Sequence, residues 1–169
     1  MLKVFYTAAA IILVAAVILL AGRDRIWALA FGPADLGPVD FATLELKPSP
    51  NQYLVCPPGL CAATPHAAAP TFTVPEQALR NAIIVSWGAM DGTRLVAGSP
   101  EPASGEIRFV QYSKWLGFPD TISVATFAID DNSSTLAVYS RSQVGESDLG
   151  VNASRITEWL AVLPVPSND

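Results

Sequence analysis

The stretch from Tyr139 to Arg155 has the greatest capacity for chemistry in a chain whose residues are 51% hydrophobic. Its candidate ligand-binding side chains carry hydroxyl, carboxylate, amide or guanidinium groups, namely Ser140, Arg141, Ser142, Asp148, Asn152 and Arg155. Free backbone amides at the start of a helix, with Arg155 in its first turn, could bind an anion. Asp148 could act as a general base, but the sequence assigns it neither an acid partner nor a nucleophile. We therefore predict no catalytic residue here.

The same stretch also has a structural interpretation, as the corner between a strand and a helix. Gly145 and Gly150 allow backbone conformations that other residues resist. Asp148 is favourable beside the positive end of a helix, and Arg141 or Arg155 could pair with it. The corner would then fix how the helix lies on the sheet. This structural interpretation is favoured over a ligand site, and both are favoured over catalysis.

The two cysteines, Cys56 and Cys61, flank a Pro-Pro-Gly sequence that bends the chain enough for their Cβ atoms to approach. A disulfide here would close a small ring and contribute about 2 kcal/mol. An alternative is that Cys56, Cys61 and His66, spaced C-x4-C-x4-H, bind zinc or copper. A closed zinc site needs a fourth ligand, and the sequence contains no further Cys or His. The disulfide is therefore favoured, and no metal site or cofactor is predicted.

His66 is the single histidine of the sequence and lies in an Ala/Pro-rich connector that offers little to orient an imidazole. Nucleophilic triads need a base that is held rigidly by a third group. Ser-His-Asp and Cys-His hydrolases are therefore disfavoured, and acid–base chemistry would fall to carboxylates or lysine. An enzyme is the less favoured interpretation, although the sequence leaves it open.

The elements that would position these residues follow from hydrophobic periodicity. Apolar residues at helical spacing predict an amphipathic helix over 74–87, preceded by a capping box formed by Thr73 and Glu76. Alternating or β-branched segments then predict strands at 94–98, 106–115, 121–129 and 135–142. Consecutive short strands joined by turns indicate an antiparallel meander with one face covered.

A second helix would provide that cover. Ile156, Trp159, Leu160 and Leu163 fall at i, i+3, i+4 and i+7 and form a continuous apolar stripe. Asn152 is a favourable N-cap for this closing helix. The predicted fold class is therefore α+β, an antiparallel four-strand meander sheet flanked by an N-terminal amphipathic helix and a C-terminal closing helix.

The sequence divides into three parts. Residues 1–30 are predicted to form a transmembrane anchor with a juxtamembrane segment. Residues 31–70, which include the cysteine pair and are rich in proline and alanine, are expected to wrap the domain as ordered coil with one short strand at 41–46. Residues 71–169 form the predicted α+β core.

The anchor prediction depends on Val4 to Gly22, nineteen residues without a charge. As a helix this stretch is roughly 28 Å long, close to the thickness of a hydrocarbon core. Trp27 then falls where an interfacial aromatic residue is expected. A cleaved signal peptide is the alternative, with Ala28 to Ala30 as its cleavage site, but charged residues separate that site from the apolar run. An uncleaved anchor is favoured.

Charge and redox chemistry indicate the partners and the compartment. Residues 31–169 contain seven Lys or Arg and fourteen Asp or Glu, a net charge of −7. An acidic domain gains nothing from contacts with phosphates, so nucleic acid is disfavoured as a partner. A disulfide forms in oxidising compartments. We therefore predict a single-pass protein of the inner (cytoplasmic) membrane whose domain faces the periplasm or the cell exterior.

Several motifs together resemble the family known as domain of unknown function 1499. They are Pro50-Asn51-Gln52-Tyr53-Leu54-Val55-Cys56-Pro57, Phe118-Pro119-Asp120-Thr121-Ile122, Ser134-Thr135-Leu136, and Tyr139-Ser140-Arg141-Ser142 followed by Gly145, Ser147-Asp148-Leu149-Gly150, Asn152, Arg155 and Trp159-Leu160. The resemblance covers residues 40–163. It implies a bacterial or plastid-lineage domain, often placed behind an export or membrane signal, and it carries no defined catalytic residue.

These observations predict three functions in order of preference. The first is a membrane-anchored extracytoplasmic domain that binds a small apolar or amphipathic ligand under the closing helix, with a polar mouth at residues 139–155. The second is a structural or partner-binding module of a cell-envelope complex. The third is an enzyme that uses Asp148 and Arg141. A cavity well below a few hundred Å³ between sheet and closing helix would argue against the first.

Overall fold

The computed structural model describes residues 2–99 and 105–168; the side chains of residues 2–5, 8, 18–21, 23, 24 and 168 lie outside that description. Across the described residues the chain forms three helices and eight strands. In chain order they are α1 (Leu2–Phe31), β1 (Gln52–Cys56), β2 (Ala67–Ala68), β3 (Thr71–Phe72), α2 (Glu76–Gly88), β4 (Thr93–Ala97), β5 (Ile107–Tyr112), β6 (Pro119–Asp130), β7 (Ser133–Ser142), α3 (Val151–Ala161) and β8 (Ser167–Asn168).

The predicted α+β meander is confirmed as β4 to β7, in which each strand pairs antiparallel with the next. The expected turn between the first two strands, 99–105, lies mostly outside the described residues. The two longest strands, β6 and β7, are paired along nearly their whole length from Asp120 with Ser142 to Asp130 with Ser133. This pair forms the centre of the sheet.

The sheet is larger than the sequence predicted. Its order is β2-β1-β7-β6-β5-β4, and β3 pairs with both β7 and β8. β1, which lies in the predicted coil of residues 31–70, pairs antiparallel with β7, so that Tyr53 lies opposite Ser140. The predicted strand at 41–46 is wrong, because the chain turns at residues 41–43 and buries Phe41 instead of pairing it.

Both helices that follow α1 pack on one face of the sheet. The apolar stripe of the closing helix is confirmed, since Ile156, Trp159 and Leu163 are buried in the main core. Trp87 of α2 donates its indole Nε1–H to the carbonyl of Trp159 (3.0 Å), and the two rings lie 5.2 Å apart. Phe109 of β5 meets Trp159 edge-on at 6.1 Å. These aromatic contacts join α2, α3 and the sheet into one core.

The start of α2 differs from the predicted capping box. Pro75 is the N-cap residue and makes no side-chain cap bond. The hydroxyl of Thr73 donates to the carbonyl of Pro166, and Glu76 accepts a hydrogen bond from the hydroxyl of Thr126 (2.9 Å). The two side chains thus bind other segments of the protein rather than each other.

The opposite face of the sheet is covered as well, by the coil that precedes β1. Its cluster contains Phe41, Leu54 and Tyr139. Asp35 accepts two hydrogen bonds from Arg108, at 2.6 and 3.0 Å, and this pairing holds the pKa of the Asp35 carboxyl below its ordinary value. The expectation that only one face is covered is therefore wrong, and the wrapping coil is part of the folded domain.

Cys56 and Cys61 form a disulfide, as predicted, with their Cα atoms 6.3 Å apart. The imidazole of His66 is held in place, although its Ala/Pro-rich connector was expected to orient it little. Its Nδ1 accepts a hydrogen bond from the amide of Leu54 (3.0 Å), and its ring stacks on Tyr53 at 5.1 Å. Because the two sulfurs bond to each other, they are not available as the thiolate ligands of the alternative metal site.

Replacing Cys56 and Cys61 together with serine should lower the free energy of unfolding by about 2 kcal/mol, the value expected for a small loop. The bridge ties buried β1 to the coil on the outer face, and one Cys replaced alone would leave a reactive thiol. Chemical unfolding of the double variant, with and without reductant, measures the effect. Reductant should destabilise the wild type by the same amount and leave the double variant unchanged. A wild type that is indifferent to reductant would contradict this expectation.

The predicted spanning stretch, Val4 to Gly22, lies within α1, although several of its side chains are outside the described set. Among the residues that the structure describes, no helix is both long and apolar enough to cross a membrane. The carboxyl end of α1 contacts the domain, because Trp27 donates its indole Nε1–H to the carbonyl of Leu116 (2.8 Å). The ring of Trp27 also lies 4.6 Å from that of Phe118.

Candidate functional site

A row of polar side chains crosses the helix-covered face of the sheet at the end nearest to the start of α3. Strand register places Gln111 of β5, Asp120 of β6 and Ser142 of β7 side by side. The next row inward is apolar at Phe109 and Ile122 and carries Ser140 on β7. The polar row therefore marks the edge of the apolar core, directly under the first turn of α3.

Arg155 of α3 reaches over this row and is only 7% exposed. Its guanidinium pairs with the carboxylate of Asp120 at 2.5 Å. It also donates to Ser140 (2.9 Å), to the side-chain oxygen of Asn152 (2.6 Å) and to Gln111. A buried guanidinium needs acceptors for its N–H groups, and these four contacts engage all three of its nitrogens, from three strands and its own helix.

Asn152 is the centre of the network and is fully buried. Its side-chain oxygen accepts from Arg155 and from the hydroxyl of Ser140 (2.5 Å). The two N–H groups of its amide nitrogen are shared among three acceptors, the carbonyl of Asn51 (3.1 Å), Ser142 (3.0 Å) and Asp148 (2.7 Å). Both ends of the Asn152 amide are thus used, and they join α3 to β7 and to Asn51, the residue directly before β1.

Asn152 is not the N-cap that the sequence predicted. Gly150, with a positive φ of 83°, is the N-cap residue, and Asn152 lies inside the first turn of α3. The capping acceptor is Asp148, whose carboxylate accepts from the amides of Asn152 (2.7 Å) and Gly150 (3.0 Å). The carboxylate lies beside the positive end of the helix, where a negative charge is favourable.

The electrostatics of Asp148 argue against a role as general base. Burial alone would raise the pKa of this carboxyl, but the hydrogen bonds from Asn152 and Gly150 outweigh burial and hold the pKa below its ordinary value. A carboxylate whose pKa is lowered is a weaker base than a free one. The geometry therefore assigns Asp148 to the structural corner.

Arg141 does not join the network. Strand alternation places it on the opposite face of β7 from Ser140 and Ser142, as predicted. There its guanidinium donates to the carbonyl of Gly37 (2.7 Å) and lies 5.4 Å from the ring of Tyr139. Burial lowers the pKa of Arg141. The proposed pairing of Asp148 with Arg141, in a corner or in an enzyme, is therefore wrong, because the sheet separates the two side chains.

Three members of the network were not predicted as site residues, namely Asn51, Gln111 and Asp120. Asp120 was interpreted as a turn residue, yet it is the ionic partner of Arg155. Asn51 donates through its side chain to the carbonyl of Gly145 (2.5 Å), which ties the loop before α3 to β1. Asn51 and Asp120 both belong to motifs that carried the family resemblance, and those motifs were the available signal.

The side chains of the network bond mainly to one another. A shallow depression of about 240 Å³ reaches Gln111 and Arg155 from outside, beside Ser154 and Glu158. Five of the predicted ligand residues lie on the helix side of the sheet, and each already bonds to another member of the network. They are Ser140, Ser142, Asp148, Asn152 and Arg155. The arrangement supports a structural corner, in which buried polar groups fix the angle of α3 on the sheet.

A larger cleft of about 450 Å³ lies farther along α3. Its walls are apolar, with Val55 and Phe72 from the sheet and Ile156 and Leu160 from the helix. The small side chains of residues 67–69 leave the space open on the edge-strand side. We call this the α3 cleft. The described residues that line it include none of the predicted ligand-binding side chains, so the polar stretch 139–155 is not its mouth.

The comparisons with known proteins agree with the motif evidence. No curated protein and no solved structure gave a match to this chain. The family described as protein of unknown function (DUF1499) matches residues 45–163, which include β1, the whole meander and α3. The matched region contains every residue of the buried network. The chain therefore belongs to the DUF1499 family.

Proposed function

We propose that this chain is a membrane-anchored extracytoplasmic domain that binds a small apolar or amphipathic molecule in the α3 cleft. The observation that carries the proposal is the cleft itself, about 450 Å³ between the closing helix and the strand edge. Small-molecule sites in proteins are clefts of roughly 300–1,000 Å³ with mostly apolar walls and few polar groups. The α3 cleft meets both criteria.

The walls define the class of ligand. Phe72, Ile156 and Leu160 offer aromatic and aliphatic surface, while the cleft contains no charged side chain among its described lining residues. The hydroxyl of Thr157 is already bonded to the carbonyl of Ala153 (2.9 Å), so it adds little polarity. Ser167 stands at one border of the cleft. A ligand with an acyl or similar hydrocarbon body and a small uncharged polar end fits this lining.

The membrane part of the proposal is supported by α1 and by the disulfide. Apolar side chains of α1 are exposed on its surface, namely Ile11, Ile12, Leu13, Val14 and Val17. Such a concentration of exposed apolar surface needs a cover in water, and lipid provides one. The Cys56–Cys61 bridge suits an oxidising compartment, which supports an orientation with the domain outside the cytoplasm.

Native mass spectrometry tests the ligand proposal with a matched pair of variants. Ala161 is exposed, lies in α3 and lines the cleft, whereas Ala78 is exposed on α2 away from it. Both Ala161→Phe and Ala78→Phe should fold, because Phe in a helix is less favourable than Ala by only about 0.5 kcal/mol. The bulky ring of Ala161→Phe should fill the cleft. We expect full-length wild type and Ala78→Phe, released gently from membranes, to carry an added mass that Ala161→Phe lacks.

The outcomes separate the alternatives. An adduct that persists in Ala161→Phe would place the bound molecule elsewhere, for example along α1. A wild type without any adduct would contradict small-molecule binding, and would favour a structural or partner-binding module. Extraction and fragmentation of the adduct would then identify its hydrocarbon body and polar end.

A further inference from the structure

One end of the sheet exposes apolar side chains next to α1. The loop between β5 and β6 contains Trp115, which is 80% exposed, and Leu116, which is 58% exposed. The loop is fixed rather than free, because the amide of Phe118 donates to the hydroxyl of Ser113 (2.9 Å) and Trp27 of α1 donates to the carbonyl of Leu116 (2.8 Å). Trp115 and Leu116 are thus presented beside the carboxyl end of α1.

The loop between β7 and α3 lies at the same end of the sheet. Gln143, directly after β7, bonds through its backbone amide to the carbonyl of Pro119 (3.3 Å) and through its side chain to the carbonyl of Phe31 (3.0 Å). This loop exposes Leu149 almost completely, at 95%. Leu149 also has a positive φ of 53°, which is unfavourable for a residue other than glycine.

An exposed leucine held in a left-handed conformation is an outlier that local packing does not explain. The strain is maintained by its neighbours, since Asp148 binds the amide of Gly150 and Ser147 binds the amide of Leu149. Strained residues that the surroundings hold in place are concentrated at functional positions such as active sites, ligand clamps and switch regions. Trp115 and Leu116 are exposed in one loop, and Leu149 is exposed in the other loop at this end of the sheet. We call these three side chains together the Trp115 surface.

We propose that the Trp115 surface enters the interface of the lipid bilayer in which α1 is anchored, so that the domain is seated on the membrane in a fixed orientation. This inference rests on the proposed anchor. The bilayer is the expected partner of this surface, because the surface adjoins the proposed anchor: Trp27 joins the end of α1 directly to the loop that carries Trp115. Tryptophan favours the lipid–water interface, where its ring is apolar and its N–H finds a hydrogen-bond acceptor.

The charges around the surface specify the kind of lipid contact. Arg25 of α1 and Lys114, the residue before Trp115, are exposed, and Glu146 is exposed in the loop that carries Leu149. The domain as a whole is acidic, so attraction to anionic headgroups does not drive the contact. Contact through Trp and Leu should therefore occur on zwitterionic phosphatidylcholine and should be insensitive to salt.

Brominated phosphatidylcholine tests the inference, because bromine on the acyl chains quenches a tryptophan that enters the bilayer. Full-length wild type and Trp115→Phe are placed in nanodiscs of plain or brominated phosphatidylcholine, and the difference between their emissions isolates Trp115. We expect this difference to be quenched several-fold by the brominated lipid and protected from acrylamide in water. Neither effect should change between low and high NaCl.

A second variant tests the role of Leu149 without risk to the fold. Leu149→Gly removes the side chain and relieves the left-handed backbone, so its melting temperature should equal or exceed that of the wild type. If Leu149 enters the interface, this variant should weaken the quenching of Trp115 by brominated lipid. A leucine with a purely structural role would leave that quenching unchanged and would overturn the part assigned to Leu149.

Flotation with lipid distinguishes failure of this inference from failure of the anchor. A full-length protein that does not float with the bilayer contradicts both. If the protein floats but Trp115 remains open to acrylamide and unquenched by bromine, the anchor stands and the seating on the membrane is wrong. If Trp115 is shielded from both quenchers, the surface is covered by protein, such as a second copy, and the lipid assignment is equally overturned.

Discussion

Replacing Arg155 with methionine should lower the free energy of unfolding by about 3–5 kcal/mol, the range for a buried ion pair that loses one partner. Methionine keeps much of the volume and apolar stem of arginine, so the loss of packing is small. The large effect comes from Asp120, whose carboxylate would remain beneath α3 without the guanidinium that it contacts at 2.5 Å. Ser140, Asn152 and Gln111 would each lose a bond as well.

Chemical unfolding followed by tryptophan fluorescence measures this loss. Arg94→Met is the matched control, because Arg94 is exposed on β4 and its guanidinium lies 5.1 Å from the ring of Tyr112. Substitutions at exposed positions usually change stability by about 0.5 kcal/mol or less, so the control should change little. Adding Asp120→Asn to Arg155→Met should restore part of the lost stability, since the uncompensated charge is removed. A loss below about 1 kcal/mol for Arg155→Met would show that the ion pair is not what holds α3.

The two ends of α3 have different roles, because the first turn belongs to the buried network and the last turns line the α3 cleft. The first turn carries Asn152 and Arg155, whose bonds to the sheet are directional and fix the helix angle. The last turns carry Leu160 and Ala161, which line an open apolar cleft. An apolar contact alone would let the helix settle into such a cleft and close it, because burial of apolar surface is favourable and non-directional. The polar corner therefore supports the cleft even though it does not line it.

Sequence reasoning succeeded where a local pattern encodes the structure. The spacing of Ile156, Trp159 and Leu163 predicted which side of α3 is buried, because helical periodicity depends only on neighbours along the chain. Strand alternation likewise placed Ser140 and Arg141 on opposite faces of β7. Both predictions required a single element and no knowledge of its partners.

The sequence could not show which distant segments meet. Four of the five residues of β1 are buried. Because both of its faces are covered, its sequence lacks the apolar–polar alternation by which a half-exposed strand is recognised. Its partner β7 begins at Ser133, far along the chain. Asp120 resembles a turn residue until β6 places it opposite Ser142 and under Arg155, 35 positions later. Pairing of this kind is decided by tertiary packing, which local patterns do not contain.

Asn152→Asp should lower the free energy of unfolding at neutral pH by about 2–4 kcal/mol, although it changes only one side-chain nitrogen to oxygen. The amide nitrogen of Asn152 donates to Asp148 at 2.7 Å. In the variant two carboxylate oxygens would face each other at this distance, and the bonds to the carbonyl of Asn51 and to Ser142 would lose their donor. Arg155 would attract the new charge on its other side but cannot reach the contact with Asp148.

The loss should depend on pH in a direction that identifies its cause. Two carboxylates in contact cannot both ionise, so one folded-state pKa of the pair rises above the unfolded value of about 4. A raised acid pKa means that the folded state binds the extra proton, and stability falls as pH rises from about 4 toward that pKa. In the wild type the lowered pKa of Asp148 has the opposite effect, adding stability above about 4 that is lost as pH falls through the folded pKa. The gap between the two proteins should therefore widen from acid to neutral pH.

Asn81→Asp is the control for this experiment. Asn81 is exposed on α2, and its side-chain oxygen accepts from Gln77 at 3.0 Å, a bond that aspartate can also accept. The control should stay within about 0.5 kcal/mol of the wild type at every pH. Unfolding curves at a series of pH values from acid to neutral measure both variants. A constant deficit for Asn152→Asp across that range would mean that the lost donor, and not repulsion from Asp148, accounts for the damage, and that Asp148 does not lie against residue 152 in the folded protein.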